Sequence, residues 1–247
     1  MQDLGTTVLG VPLPFPVMNA PGTFASIGEL RQLGAAGAGA LCLRTATVHP
    51  FVHREFHGLH NPGHDKLLTV TRELVELGGP PVVASVAGGT ADEYALLARL
   101  FAEAGASLVE LNLADPWVAR TLAPYEDVEV LAEVCTRVLE ACPVPVLVRL
   151  PTDVAPRWGR IAAALRVAGV RGVVVGNDFA GMEKLLLETR GEVEMVAVGQ
   201  VHSGYDVTRS LAKGARALQV DADLKLEGPR MFRRLAREMR RAREGPR

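Results

Sequence analysis

The sequence predicts an α/β protein, a TIM-type (β/α)8 barrel with a small N-terminal hairpin. Eight short apolar runs rich in β-branched residues fall at 15–19, 40–44, 82–86, 108–113, 144–149, 172–175, 194–198 and 217–220. Longer amphipathic segments alternate with them, among them 92–104, 128–141, 157–168, 205–212 and 229–243. Near-continuous apolar strands separated by helices indicate a parallel sheet buried on both faces. The chain has 247 residues, the length one such barrel needs. An open doubly wound sheet shows the same alternation, but eight repeats in this length favour closure.

The joints between elements support the reading. Gly39, Gly105, Gly169 and Gly214 each stand between a helical segment and an apolar run, where a left-handed glycine ends a helix. Thr90 is placed to cap the helix that follows the third run. The opening stretch TTVLGVPLP, with Gly10 and two prolines, reads as a hairpin closing the barrel floor. The longest irregular stretch, 46–65, follows the second run and is broken by Pro50, Gly58, Pro62 and Gly63. A loop of that length at the C-terminal end of a barrel strand is where ligand sites are built. No linker or low-complexity segment divides the chain, so one domain over 1–247 is expected.

Composition narrows the function classes. Hydrophobic residues make up 48% of the chain, enough for a large core, and the net charge is −1. That balance gives no reason to expect nucleic acid or a membrane surface as partner. Cys42, Cys135 and Cys142 are odd in number and lack close spacing, so a disulfide framework is not expected and a reducing cytoplasm is. The arginine-rich end, FRRLAREMRRAREGPR, places Phe232, Leu235 and Met239 at helical spacing and reads as an amphipathic helix with a solvated basic face.

Five of the six histidines, His49, His53, His57, His60 and His64, crowd the 46–65 loop. The intervening prolines and glycine break a shared helical face, so no metal is expected there. His202 reads as an exposed loop residue. Glu110 and Asn112 share one face of the fourth run, and Arg149 lies on its neighbour. A charged barrel interior must pair, so a Glu110–Arg149 ion pair is expected.

Taken in order, the motifs PVMNAPG (16–22), AGALCLRTAT (38–47), GLHNPG (58–63), ELNLADP (110–116), VRLP (148–151), GND (176–178), AVGQVHSGYD (197–206) and GARALQVDADLKLEGP (214–229) run through almost the whole chain. Together this order resembles that of the dihydroorotate dehydrogenases. The resemblance implies a barrel that binds FMN and oxidises dihydroorotate to orotate in pyrimidine synthesis. It also implies that Asn19, Ala20, Gly22, Arg44, Arg149, Gly199, Gln200, Asp221 and Ala222 stand at flavin-facing positions. Asn61, Asn112 and Asn177 stand at substrate-facing ones, and Asp115 at the position of the catalytic base.

The departures from that pattern cluster on the site. Arg44 and Arg149 replace two lysines, exchanging a compact ammonium for a planar fork. Asp115 replaces a cysteine or serine base, and Trp117 replaces a substrate-binding asparagine. The glycine-rich phosphate loops become Gly199-Gln200 and Asp221-Ala222, which sets a carboxylate beside a phosphate. Only a short helical stretch, 180–190, stands where a longer covering segment is expected. Three readings follow: an FMN oxidoreductase with an altered site; a non-catalytic homologue acting as partner subunit, regulator or small-anion binder; or a flavin-free lyase or isomerase using Asp115. A small anionic ligand and a homodimer or hetero-oligomer are the expected partners.

Overall fold

The computed structural model describes residues 4–24, 26–52, 60–114, 127–151, 157–176 and 179–244. It opens with an antiparallel hairpin, β1 (Thr6–Val8) and β2 (Val11–Leu13), in register Thr6↔Leu13. The two turn residues, Leu9 and Gly10, both take positive φ, 49° and 82°. This is the backbone that matches the natural twist of two paired strands.

Strands β3 (Val17–Asn19), β4 (Leu41–Cys42), β7 (Val82–Val86), β8 (Leu108–Asn112), β9 (Val146–Arg149), β10 (Gly172–Gly176), β11 (Glu194–Val198) and β12 (Ala215–Val220) form one parallel sheet. They coincide with the eight runs read from the sequence. Their order, β3-β12-β11-β10-β9-β8-β7-β4, brings the first two strands to the two ends, and the barrel is nearly closed. Between them run α1 (Ile27–Ala36), α2 (His64–Glu76), α3 (Ala91–Glu103), α4 (Val128–Ala141), α5 (Trp158–Val167), α6 (Phe179–Glu188) and α7 (Gly204–Ala212). After β12 come α8 (Ala222–Glu227) and α9 (Arg230–Glu244). The ends of the histidine loop pair as a small ladder, β5 (Phe51–Val52) with β6 (His60–Asn61). Among the described residues no helix is long and apolar enough to cross a membrane.

Helix starts follow the expected chemistry. The Thr90 side chain accepts from Glu93 N, and Ser26 with Glu29 forms a reciprocal capping box on α1. Gly105, Gly169 and Gly214 take left-handed φ of 97°, 79° and 102° at helix ends, as their position predicts. Gly39 departs from that expectation, because Gly37 (φ 97°) closes α1 instead. Gly39 is needed for another reason. Its amide donates to Val17 O at 2.8 Å across the gap between β3 and β4, and a Cβ there would lie 1.7 Å from Phe15 O.

Two apolar layers hold the molecule. The larger lies between strands and helices and includes Val17, Leu43, Val109, Leu111, Phe101 and Val134. The smaller fills the lower half of the barrel, where Val8 and Leu13 of the hairpin pack against Met18, Cys42, Val83, Leu108, Leu147 and Val196. The hairpin therefore closes the floor, as its sequence predicts. Above this plug the inward-facing residues turn polar.

Burial controls the thiols. Cys42, Cys135 and Cys142 are all free. Burial pushes the Cys135 thiol from 9.0 up to about 12 and raises Cys42 as well. A thiol whose folded pKa is raised loses stability for the fold only after the unfolded thiol begins to ionise. Stability should thus be intact below about pH 9 and fall as pH rises from 9 toward 12, by about 1.4 kcal/mol per unit for Cys135 alone. Thermal melts across that range should show the decline. In native protein Cys42 and Cys135 should resist a disulfide-exchange reagent; rapid titration of all three thiols would contradict the burial.

Candidate functional site

Strand alternation delivers Glu110, Arg149 and Gln219 to the barrel interior, just above the apolar plug. Glu110 is fully buried, and it accepts from Arg149 Nε at 2.6 Å and from Gln219 Nε2 at 2.6 Å. Arg149 Nη2 donates in turn to Gln219 Oε1. The triad draws on β8, β9 and β12 and so spans the barrel. The Glu110–Arg149 pair is the one the sequence predicts; Gln219 escaped sequence reasoning. Its only signal was a polar residue two places after Ala217 in an apolar run. The Arg149 side chain is 11% exposed. Cys42 lies within reach of the same charges: burial raises its thiol, Glu110 adds to the rise, and Arg149 opposes it.

Asn19 is turned to structural use. Its amide nitrogen donates to Cys42 O at 2.6 Å and to Ala20 O at 3.2 Å, and its oxygen accepts from Cys42 N at 3.0 Å. One buried side chain thus stitches β3 to β4 where the ladder is incomplete. Ala20 is buried behind it, its amide bonded to Val220 O at 2.8 Å. Gly22 turns the chain outward with φ 81°.

A second polar group lies higher. Asn112 Nδ2 donates to Thr45 Oγ1 at 2.9 Å, and Thr45 Oγ1 shares a hydrogen bond with Ser85 Oγ at 2.9 Å. Asn61 joins through Thr45 O at 2.9 Å, while its own oxygen accepts from Gly63 N at 2.9 Å. Asn61 therefore pins the histidine loop onto the mouth. Asn112 Oδ1 is enclosed, with no partner among the described residues. A buried acceptor left empty is costly unless something donates to it. Arg44 is half-buried on the same rim, without a hydrogen bond or ion pair among the described residues.

Across the mouth, the loop after β11 and the start of α8 bring Gly199, Gln200, Asp221 and Ala222 together. Gly199 N donates to Gln219 O at 3.2 Å, and Gln200 is exposed. The next amides are taken by carboxylates: Val201 N by Asp223 at 2.8 Å, His202 N and Ser203 N by Asp206 at 3.0 and 2.9 Å, and Gly204 N by Glu238 at 2.7 Å. Exposed His202 also sets Nδ1 3.3 Å from Asp223. Asp221 is half-exposed and pairs with Lys225 at 2.7 Å, a mouth cation other than Arg44. Arg234 of α9 clasps the arrangement, meeting Glu227 at 2.6 Å, Glu238 at 3.0 Å and His202 O at 3.0 Å. The hydrogen bond from Arg234 holds Glu227 below the usual carboxylate range.

Asp115, Trp117, Asn177, Asp178, His53 and His57 lie outside the described residues. His64 Nδ1 is 2.9 Å from Val48 O, so this histidine helps anchor its loop. Among the described residues no group of three or more histidines, cysteines or carboxylates is placed to hold a metal ion.

The family model for dihydroorotate dehydrogenase matches residues 55–190. A putative dihydroorotate dehydrogenase A (fumarate) of Aeropyrum pernix is 28% identical, over 97% of this chain and 92% of its own. Its counterpart in Pediococcus pentosaceus is 31% identical over 84% of this chain and 78% of its own. The catalytic subunit of dihydroorotate dehydrogenase B (NAD(+)) from Listeria monocytogenes is 31% identical over 77% of this chain and 67% of its own. Among solved structures, the ferulenol complex of the Eimeria tenella enzyme superposes with a TM-score of 0.84. It covers 96% of this chain and 83% of its own at 15% identity, a likeness of fold.

Proposed function

This chain belongs to the dihydroorotate dehydrogenase family, and on that premise we propose that it keeps the family's ligand pocket at the barrel mouth without a phosphate anchor for FMN. One observation carries the reading: the rim where a flavin phosphate is expected is lined by the carboxylates of Asp221 and Asp223, and Asp223 already holds the Val201 amide. At about 4 Å and an effective dielectric near 20, each like-charge contact would cost roughly 4 kcal/mol. Lys225 and solvent reduce that figure at Asp221, whereas Asp223 is mostly buried and fully engaged. The rim does not fit a phosphate group.

The polar groups at the mouth suit a small ligand bearing a carboxylate and amide groups, as dihydroorotate does. Arg44 offers an open cation for the carboxylate. Asn112 offers an empty acceptor for a ring N–H, held in place by Thr45 and Ser85. Asp115, at the family's base position, would move a proton. Arg149 is already neutralised by Glu110, so it supplies a positioned donor rather than net positive charge. The reading takes residues 1–247 as one domain in a cytoplasmic setting, associating with itself or with a related subunit.

A titration with FMN and, in parallel, phosphate-free riboflavin tests it. The expected result is a colourless purified protein that binds FMN no tighter than riboflavin. Stoichiometric binding with FMN preferred a hundredfold would overturn it and favour the second reading, which whole-length kinship supports: FMN-dependent oxidation of dihydroorotate with Asp115 as base. Exchanging Asp221→Gly together with Gln200→Gly should raise FMN affinity relative to riboflavin.

A further inference from the structure

We propose that a groove on the floor of the barrel, opposite the mouth, is a docking site for an extended acidic peptide segment of a partner protein, with apolar residues flanking its acids. The groove runs between the N-terminal hairpin, the end of α1 and one side of α9, with a volume of about 1460 Å³. Its walls are apolar and stiff, with Leu13, Phe15 and Phe232 beside Pro80 and Pro81. Prolines carry no N–H, so this wall offers surface without competing donors.

The charge on the groove is one-sided. Arg216, Arg233 and Arg240 line it, and no aspartate or glutamate does among the described residues, although the whole chain carries a net charge of −1. Arg216 has a loose contact with Glu194, 3.9 Å away, and Arg233 gives one nitrogen to Ala35 O at 3.0 Å. Arg240 Nε is enclosed, with no acceptor among the described residues, which leaves the terminal nitrogens of this half-buried guanidinium to meet a carboxylate. The groove exceeds the roughly 300–1000 Å³ of small-molecule pockets, which favours a chain segment over a metabolite. Its position leaves the mouth open, so a partner bound there would not compete with the ligand.

The full-length protein can be tested by fluorescence anisotropy with a short labelled peptide in which glutamates alternate with leucine and phenylalanine. Saturable binding is expected, weakened at least tenfold by Arg233→Glu with Arg240→Glu and by raised salt. Arg216→Glu, at an exposed position, should weaken it severalfold and guards against misfolding of the double variant. Equal binding of a peptide with glutamine in place of glutamate would overturn the proposal, because it would reduce the groove to a sticky surface. So would unchanged affinity in the arginine variants. Sedimentation with phosphatidylglycerol vesicles, lost in the same variants while the peptide fails to bind, would assign the groove to a membrane surface instead. Mouth ligands should leave the anisotropy unchanged, so the outcome is independent of the flavin titration.

Discussion

Glu110→Ala should destabilise the protein by about 3–5 kcal/mol, because it strands the Arg149 guanidinium and the Gln219 amide inside the barrel. For a chain of this length that corresponds to a fall in melting temperature of roughly 6–20 °C. The size of the effect comes from what remains rather than from what is lost. A buried ion pair contributes little net stability, since both charges give up water to form it, but half a pair leaves one charge desolvated and unmatched. The second substitution makes the test specific. Glu110→Ala combined with Arg149→Met removes both charges and should recover much of the loss. If the double variant is no more stable than Glu110→Ala, a cavity rather than an orphaned charge explains the single variant. A loss under about 1 kcal/mol would show that water reaches the triad.

Gly39→Ala should be at least as damaging, by roughly 4 kcal/mol or more, and in cells should read out as insoluble protein. The added methyl would sit 1.7 Å from a backbone oxygen, so β3 and β4 would have to separate. That would break the Gly39–Val17 hydrogen bond and strain the Asn19–Cys42 pair beside it. Gly37→Ala is the natural control. Gly37 has open space around its Cβ position and is needed only for its left-handed backbone, so its cost should be about 1–2 kcal/mol. Equal costs at the two positions, measured by chemical denaturation, would mean that the seam yields easily.

These two sites mark where the sequence was legible and where it was not. The eight strands were legible because each is a local apolar run bounded by turn residues, and period and punctuation need no tertiary knowledge. The Glu110–Arg149 pair was legible for a related reason: the strands are consecutive, and period two fixes which residues face inward. Gln219 was not, because it reaches the pair across the barrel from 109 residues away. Gly39 was assigned the wrong task. A glycine between a helix and a strand suggests a cap, and only closure of the barrel reveals the backbone crowding it. The rim was half legible. Asp221 stood out against a phosphate-loop pattern, but Asp223 and Glu238 close on amides 22 and 34 residues before them. Asn19 stands at a flavin-facing position by resemblance, and its bonds to Cys42 and Ala20 are a further role that the sequence did not show.

The clasp of α9 on the mouth and the seating of the hairpin on the floor have a consequence for how the protein is made. Thr6 binds Arg216 O, 210 residues later, Leu9 binds Glu194, and Arg233 reaches back to Ala35. A ribosome delivers these partners 185 to 210 residues after the segments they cover. The earliest segments must leave the exit tunnel with their apolar faces uncovered and wait for the final helix, a long interval in which unpaired strands can meet the wrong neighbours. We expect chaperone demand during synthesis to follow from this architecture.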